Sequence, residues 1–188
     1  MLEFFHTSVN LWLAHPVGQS LGFAASLAYF IAALQKEDKR LFGFMLCGTI
    51  FWLLHYGMLG AWVASVGFII GAIRNGLAYF KVVTPPRRLW LTLVLVSAYV
   101  VVGIFYIHTW YDFLPVIGSS LYVIASYNLV GIRMRLLFLL AQAAYTIYAL
   151  YVSSIAGVLD GLIDAVLTCS TIYRMMRDIT KQAMRTES

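Results

Sequence analysis

The sequence predicts an all-α polytopic membrane protein, with seven transmembrane helices forming two parallel three-helix bundles joined by a linker helix. Three observations predict it. The first is composition: of 188 residues, 62% are hydrophobic and 11% charged, and the mean hydropathy is +0.84. That is too apolar for a soluble domain and long enough for six or seven spans of roughly 20 residues. The second is where the thirteen Lys and Arg residues fall. Spans read at 16–35, 41–59, 61–80, 89–107, 114–132, 136–153 and 155–173 confine all but Arg74 to alternate connections. These hold Lys36, Lys39 and Arg40; Lys81, Arg87 and Arg88; Arg133 and Arg135; and Arg174, Arg177, Lys181 and Arg185. Cationic loops stay in the cytoplasm during insertion, so the alternation predicts an N-terminus outside and a C-terminus inside. The third is repetition. Pro16-Val17-Gly18-Gln19-Ser20-Leu21, then Ala25-Ser26, is echoed by Pro115-Val116-Ile117-Gly118-Ser119-Ser120-Leu121, then Ala125-Ser126. Each copy opens a span at the outer face and leads through a basic loop to an uncharged hairpin. Three spans reverse the chain and span 89–107 restores its direction, so the two repeats run parallel.

Taken in order, 1–188 forms a single integral membrane domain. Residues 1–15 are expected to lie as an arm in the outer interface. Leu2, Phe5, Val9, Trp12 and Leu13 recur at helical spacing, and neither a basic leader nor a small-x-small cleavage site is present. Residues 16–81 form the first repeat, 89–107 the linker helix, 114–174 the second repeat and 175–188 a basic cytoplasmic tail. The net charge of +5 comes from loops facing anionic headgroups, which points to the lipid bilayer as partner and to no nucleic acid. Trp62, Trp110 and Trp90 fall at span ends, where indole rings sit at headgroup level. Gly18, Gly22 and Ser26, then Gly67, Gly71 and Asn75, then Gly157, Gly161 and Ala165 recur every four residues as seams for close helix approach. Cys47 and Cys169 lie in apolar segments away from an oxidising compartment, so no disulfide is expected.

C-x-x-C, H-E-x-x-H, Gly-x-Ser-x-Gly and Gly-rich phosphate fingerprints are absent. No catalytic residue, metal or cofactor is assigned, and the chain is not expected to be an enzyme. The informative residues are polar groups inside the spans. Ionisable side chains in hydrocarbon cost on the order of 2.5–3.5 kcal/mol and normally face the bundle interior in pairs. Four are present: His55, Arg74, Asp160 and Asp164. Counting residues from the span ends places Arg74 level with Asp164 near the midplane, and His55 level with Asp160 nearer the outside. Two readings stand. Either Arg74 binds an anionic group of a solute while Asp160, Asp164 and His55 form a proton or ion path, or Arg74 and an Asp are a buried pair that docks the bundles. Asn75, Asn128, Gln142 and Tyr145 would orient a polar solute, or would join helices. Trp52 lies mid-span, as a ring to stack on in a cavity or as core.

The 3+1+3 plan with parallel repeats resembles the SWEET sugar carriers and the PQ-loop and PnuC-type carriers, although the Pro-Gln dipeptide is missing. A closer likeness rests on His55 through Gly60, Ala72-Ile73-Arg74, Leu114-Pro115-Val116-Ile117-Gly118, Asp160-Gly161 and Ile172-Tyr173-Arg174. In these the chain resembles the YgjV-type bacterial inner-membrane proteins over nearly its whole length. That family has an acidic residue at the position of Asp160. Tyr148 stands where a second-repeat counterpart of His55 is expected, and Asp164 has no evident equivalent. The resemblance implies the bacterial inner (cytoplasmic) membrane and brings no activity with it.

The expected function is movement of a small polar or anionic solute by alternating access, coupled to protons through the acidic residues. The alternative is a non-transporting subunit or scaffold that docks a partner membrane protein. A homodimer is compatible with both.

Overall fold

A computed structural model describes residues 16–186, and all regular elements among them are helical. They are α1 (Pro16–Ala33), α2 (Asp38–Met58), α3 (Trp62–Tyr79), α4 (Pro85–Tyr106), a 3-10 turn (Trp110–Asp112), α5 (Phe113–Asn128), α6 (Gly131–Tyr151) and α7 (Ile155–Thr186). Six of the seven α-helices are long and apolar enough to cross a membrane. The proposed arm 1–15 lies outside the described residues.

The seventh helix, α5, corrects the expected span 114–132. It has 16 residues, about 24 Å at 1.5 Å per residue. Leu129 and Val130 are extended, and Gly131 takes a left-handed turn at φ +59°. The break starts α6 five residues early and draws Arg133 and Arg135 into its first turns. Several other basic residues also begin helices rather than occupy loops. Lys39 and Arg40 fall in the first turn of α2, and Arg87 and Arg88 follow the Pro85-Pro86 pair that opens α4, where a missing N–H costs nothing. The expected tail is helical as far as Thr186 and continues α7. α7 runs unbroken for 32 residues to Thr186, about 48 Å, longer than the hydrocarbon layer is thick.

Helix packing is cyclic. α1 packs on α2, α2 on α3, α3 on α5, α5 on α6, α6 on α7, and α7 closes on α1, while α4 lies outside against α3 and α5. From α4, Leu95, Tyr99 and Gly103 are buried in the seam between those two helices; the rest of it is mostly exposed, as a lipid-facing surface requires. The chain ends of these helices gather at a basic end, which carries the α1–α2 connection and the starts of α2, α4 and α6, and at an opposite end. At the opposite end the α2–α3 and α6–α7 hairpins close alike. Ala61 N–H donates to Tyr56 O and Gly60 N–H to Gly57 O, with Gly60 at φ +72°. Ser154 N–H donates to Ala149 O and Ser153 N–H to Leu150 O, with Ser153 at φ +54°. Both are Schellman turns, which satisfy the last helix carbonyls through a left-handed residue.

The small-residue seams are points of closest approach. A methyl group on Gly22 of α1 would lie 2.7 Å from both His55 Nδ1 and Ala156 Cβ, so the three-way junction of α1, α2 and α7 requires glycine there. Trp62, Trp90 and Trp110 are all exposed near helix ends, as interfacial rings should be. Cys47 and Cys169 are free thiols on the outer surface of the ring.

Candidate functional site

Each helix of the ring sends at least one side chain into a central chamber: Tyr29 from α1, Trp52 from α2, Arg74 from α3, Tyr122 from α5, Gln142 from α6 and Asp160 from α7. Tyr99 reaches it from α4 through the α3–α5 seam. About 450 Å³ there is unfilled by protein atoms, but the free bore admits about one water molecule. The chamber is therefore narrow, and a solute larger than water requires the surrounding rings to part.

Arg74 is 3% exposed. Its Nε and Nη2 both donate to Asn75 Oδ1, at 3.0 and 2.8 Å. Asn75 Nδ2 donates to Thr49 Oγ1 at 2.8 Å, and Tyr29 OH shares that hydroxyl at 3.0 Å. The guanidinium carbon sits 4.8 Å from the centre of the Tyr122 ring, a cation–π geometry that is strongest where water is excluded. Among the described residues Arg74 forms no ion pair; its hydrogen bonds to Asn75 run from Nε and Nη2. Of the two readings of Arg74, the buried Arg–Asp pair is not formed among the described residues.

Why the depth count misleads is a matter of side-chain direction. Helix side chains lean toward their own N-terminus, and an Arg is long enough to be carried about one turn that way. α3 runs toward the basic end, so the Arg74 head group is carried into the chamber that Asp160 lines rather than the one that Asp164 lines. It meets Asp160 only through intermediaries. Tyr122 OH donates to Gln142 Oε1 at 2.7 Å, and Gln142 Nε2 donates to Asp160 Oδ2 at 2.8 Å. Asp160 Oδ1, with Ser26 interacting across the α1–α7 seam, makes no hydrogen bond of good geometry. The chamber thus holds a cation on one wall and a carboxyl on the other, connected through the phenol and the amide of Tyr122 and Gln142.

Trp52 and Tyr145 line the same chamber. Trp52 stacks with Phe68 and Tyr56 at centroid distances of 6.3 and 5.5 Å, and the Tyr145 hydroxyl is hydrogen-bonded to Ser119. Three expected site residues are elsewhere. Asn128 is exposed at the last turn of α5, where Nδ2 donates to Thr92 Oγ1 of α4 and to Ile124 O, both at 3.1 Å. It does not reach the chamber because α5 stops there and turns its final residue toward α4. His55 is fully buried but joins helices. Its Nδ1 is 2.9 Å from Gly18 O and its Nε2 2.8 Å from Ser154 Oγ, and Ser154 Oγ accepts from Gly157 N–H at 3.0 Å. A carbonyl can only accept, so Nδ1 carries a proton. His55 touches neither Asp160 nor Asp164 and ties α1, α2 and α7 instead.

Asp164, the third, opens into a second chamber nearer the basic end, shared with Thr168, Phe138 and Arg135. Its one hydrogen bond is a long 3.5 Å contact from Thr168 Oγ1. Tyr29 and Tyr122 line both chambers and form the partition between them, which is why Arg74 and Asp164 do not meet.

Sequence reasoning passed over Tyr29, Tyr99, Tyr122 and Ser119 because aromatic and small residues are plentiful throughout. The spacing of Tyr122 from Gly118 and Ser119, on one face of α5, was the available signal. Arg135 was also passed over as a loop cation, though its side chain is 1% exposed. Within reach of a break at Gly131, it was legible only once that break was known.

Residues 16–179 match the Imp-YgjV family, described as a bacterial inner membrane protein. No match is found among curated proteins or among solved structures.

Proposed function

We propose that this chain, which belongs to the Imp-YgjV family of bacterial inner membrane proteins, is a carrier for a small polar or anionic solute. The observation that carries this reading is the single chamber to which all six ring helices contribute, with a buried guanidinium that lacks a carboxylate partner. A buried cation held by a neutral amide and an aromatic ring, with no carboxylate paired to it, suits transient binding of an anionic group better than a salt-bridged one would. Asn75 holds the guanidinium fork; Gln142, Tyr122 and Tyr145 present hydroxyl and amide groups around the bound solute; Trp52 supplies an apolar wall. Asp160, at the far end of the Tyr122–Gln142 bridge, takes the coupling proton.

In this reading α1–α3 and α5–α7 are parallel repeats that exchange places under a pseudo-two-fold axis. The cyclic packing is unchanged by that exchange, since α1 on α7 corresponds to α5 on α3, and the paired Schellman turns are consistent with it. α4 then is the linker helix of a seven-span protein, and the basic end faces the cytoplasm. Rocking of one repeat against the other alternates access to the chamber.

Proteoliposomes holding the wild-type protein, offered a whole metabolite extract and read by mass spectrometry against Arg74→Ala, test this. Accumulation of a solute by the wild type alone supports the carrier. No accumulation by folded wild-type protein removes it and directs attention to a docking role for the exposed helix surfaces.

A further inference from the structure

The second chamber has no function in the account above, and its position suggests one. It lies behind the Tyr29–Tyr122 partition, has free space for about one water molecule, and is capped toward the basic end by an unusual arrangement. The four carbonyls at and beyond the end of α1 are each capped by a side chain from the other half of the molecule. Thr171 Oγ1 donates to Ala33 O at 2.8 Å and Arg174 Nη2 to Leu34 O at 3.0 Å. Arg135 Nη2 donates to Gln35 O at 2.9 Å and Lys36 O at 3.2 Å, while its Nη1 reaches Asp38 Oδ1 at 2.8 Å. A helix C-terminus leaves its carbonyls unsatisfied and favours cations; here α6 and α7 provide what the helix itself lacks. Arg135 also lines the chamber, and its Nε is buried without a hydrogen bond.

A hydrogen-bonded polar seal in this place is reversible, unlike a packed apolar one. Its carbonyls and its cations can each be taken up by water at the membrane surface when it opens, so separation leaves nothing unsatisfied. The partition is equally suited to movement: its two phenols come from α1 and α5, the first helices of the two halves, and each lines both chambers.

We propose that the second chamber is the solute's exit compartment toward the basic end, gated from the central chamber by Tyr29 and Tyr122 and sealed from the membrane surface by the Arg135 clasp on the α1–α2 connection. This inference rests on the carrier reading for its purpose, but its geometry stands on accessibility alone. The anionic group that Arg74 releases on passing Tyr122 meets Arg135 as the next cation, while Asp164, on the same face of α7 as Asp160, places a carboxyl on the basic-end side of the partition. One cation and one carboxyl thus stand on each side of the gate.

The test is reaction of engineered thiols with a membrane-impermeant, positively charged methanethiosulfonate, applied to sealed vesicles of either orientation. The background carries Cys47→Ser and Cys169→Ser, both at exposed sites. Thr168→Cys reports on the second chamber and Ser119→Cys on the central one. Reaction at Thr168→Cys from the basic end is expected to be about tenfold faster when Asp38→Asn or Thr171→Val weakens the clasp. Ser119→Cys is expected to stay protected from that end until Tyr29→Ala or Tyr122→Ala opens the partition. Arg135→Gln should have the largest effect; if it fails to fold, Asp38→Asn and Thr171→Val decide. Unchanged rates at Thr168→Cys in folded clasp variants, or fast reaction at Ser119→Cys from the basic end with both tyrosines intact, would overturn the proposal. No solute is involved, so a gate that opens as described in a protein that transports nothing upholds the gate and ends the carrier reading.

Discussion

The guanidinium of Arg74 lies over the ring of Tyr122, 4.8 Å from its centre, and the hydroxyl of the same ring donates toward the Gln142–Asp160 pair. One tyrosine therefore touches the buried cation with its face and the buried carboxyl's amide partner with its edge. It does both from the partition between two chambers, so a change in either charge bears on that partition.

Replacement of Arg74 separates binding from folding. Arg74→Lys keeps the charge but loses the two-pronged bond to Asn75 Oδ1, and a point-like ammonium does not reproduce planar recognition. Uptake by Arg74→Lys is expected to fall about tenfold or more and that by Arg74→Ala further, in keeping with roughly 1.5–3 kcal/mol for a charge-assisted hydrogen bond. Thermal unfolding of the purified proteins, measured alongside uptake, should change far less than activity.

Gln142 is expected to be costly to lose for stability as well as uptake. Gln142→Leu strands the Tyr122 hydroxyl and Asp160 Oδ2 in a buried site, at about 1–3 kcal/mol for each unsatisfied group. The melting temperature in detergent should fall by several degrees, and Tyr122→Phe, which removes one partner cleanly, should cost less than Gln142→Leu.

Glycine positions discriminate packing from propensity. Gly22→Val is expected to destabilise by about 1–3 kcal/mol or more, because its Cβ would lie 2.7 Å from the His55 ring and from Ala156. Gly76→Ala meets nothing within 4 Å and should be neutral or slightly stabilising. Comparison of the two melting curves checks the α1–α2–α7 junction directly.

Two arginines a helical half-turn apart should behave oppositely. Arg135→Met removes a buried cation and uncaps two carbonyls, leaving Asp38 unpaired, and is expected to cost about 3–5 kcal/mol. Arg133→Met, at an exposed position, should stay within about 0.5 kcal/mol. Equal effects in a denaturation series would remove the clasp as a stabilising element.

Asn128 tests the boundary of the chamber. Its amide bonds Thr92 on the outside of the ring, so Asn128→Ala should leave uptake at the wild-type level, whereas Asn75→Ala, which frees the Arg74 fork and Thr49, should reduce it.

What the sequence by itself determined about this protein is whatever a local or one-dimensional signal can carry. Apolar segment length and the alternation of basic residues marked the helices to within about five residues except at the end of α7, which runs on to Thr186, and the cost of charge in hydrocarbon singled out Arg74, Asp160 and Asp164 as residues needing an explanation. Gly22, in a four-residue repeat of small residues, pointed to a close approach. Tertiary structure alone decided which of those residues meet. Arg74 and Asp164 match in depth along their helices, yet the lean of a long side chain and two intervening tyrosines put them in different chambers. His55, a titratable side chain inside a span, became a helix tie because Gly18 O and Ser154 stand at its two nitrogens. Asn128 was turned outward and Arg135 inward at one break, where extended Leu129 and Val130 and left-handed Gly131 separate the end of one helix from the body of the next. Depth and polarity add up along the chain; azimuth, side-chain direction and the identity of the facing residue arise only when six helices close around one axis and the seventh packs outside them.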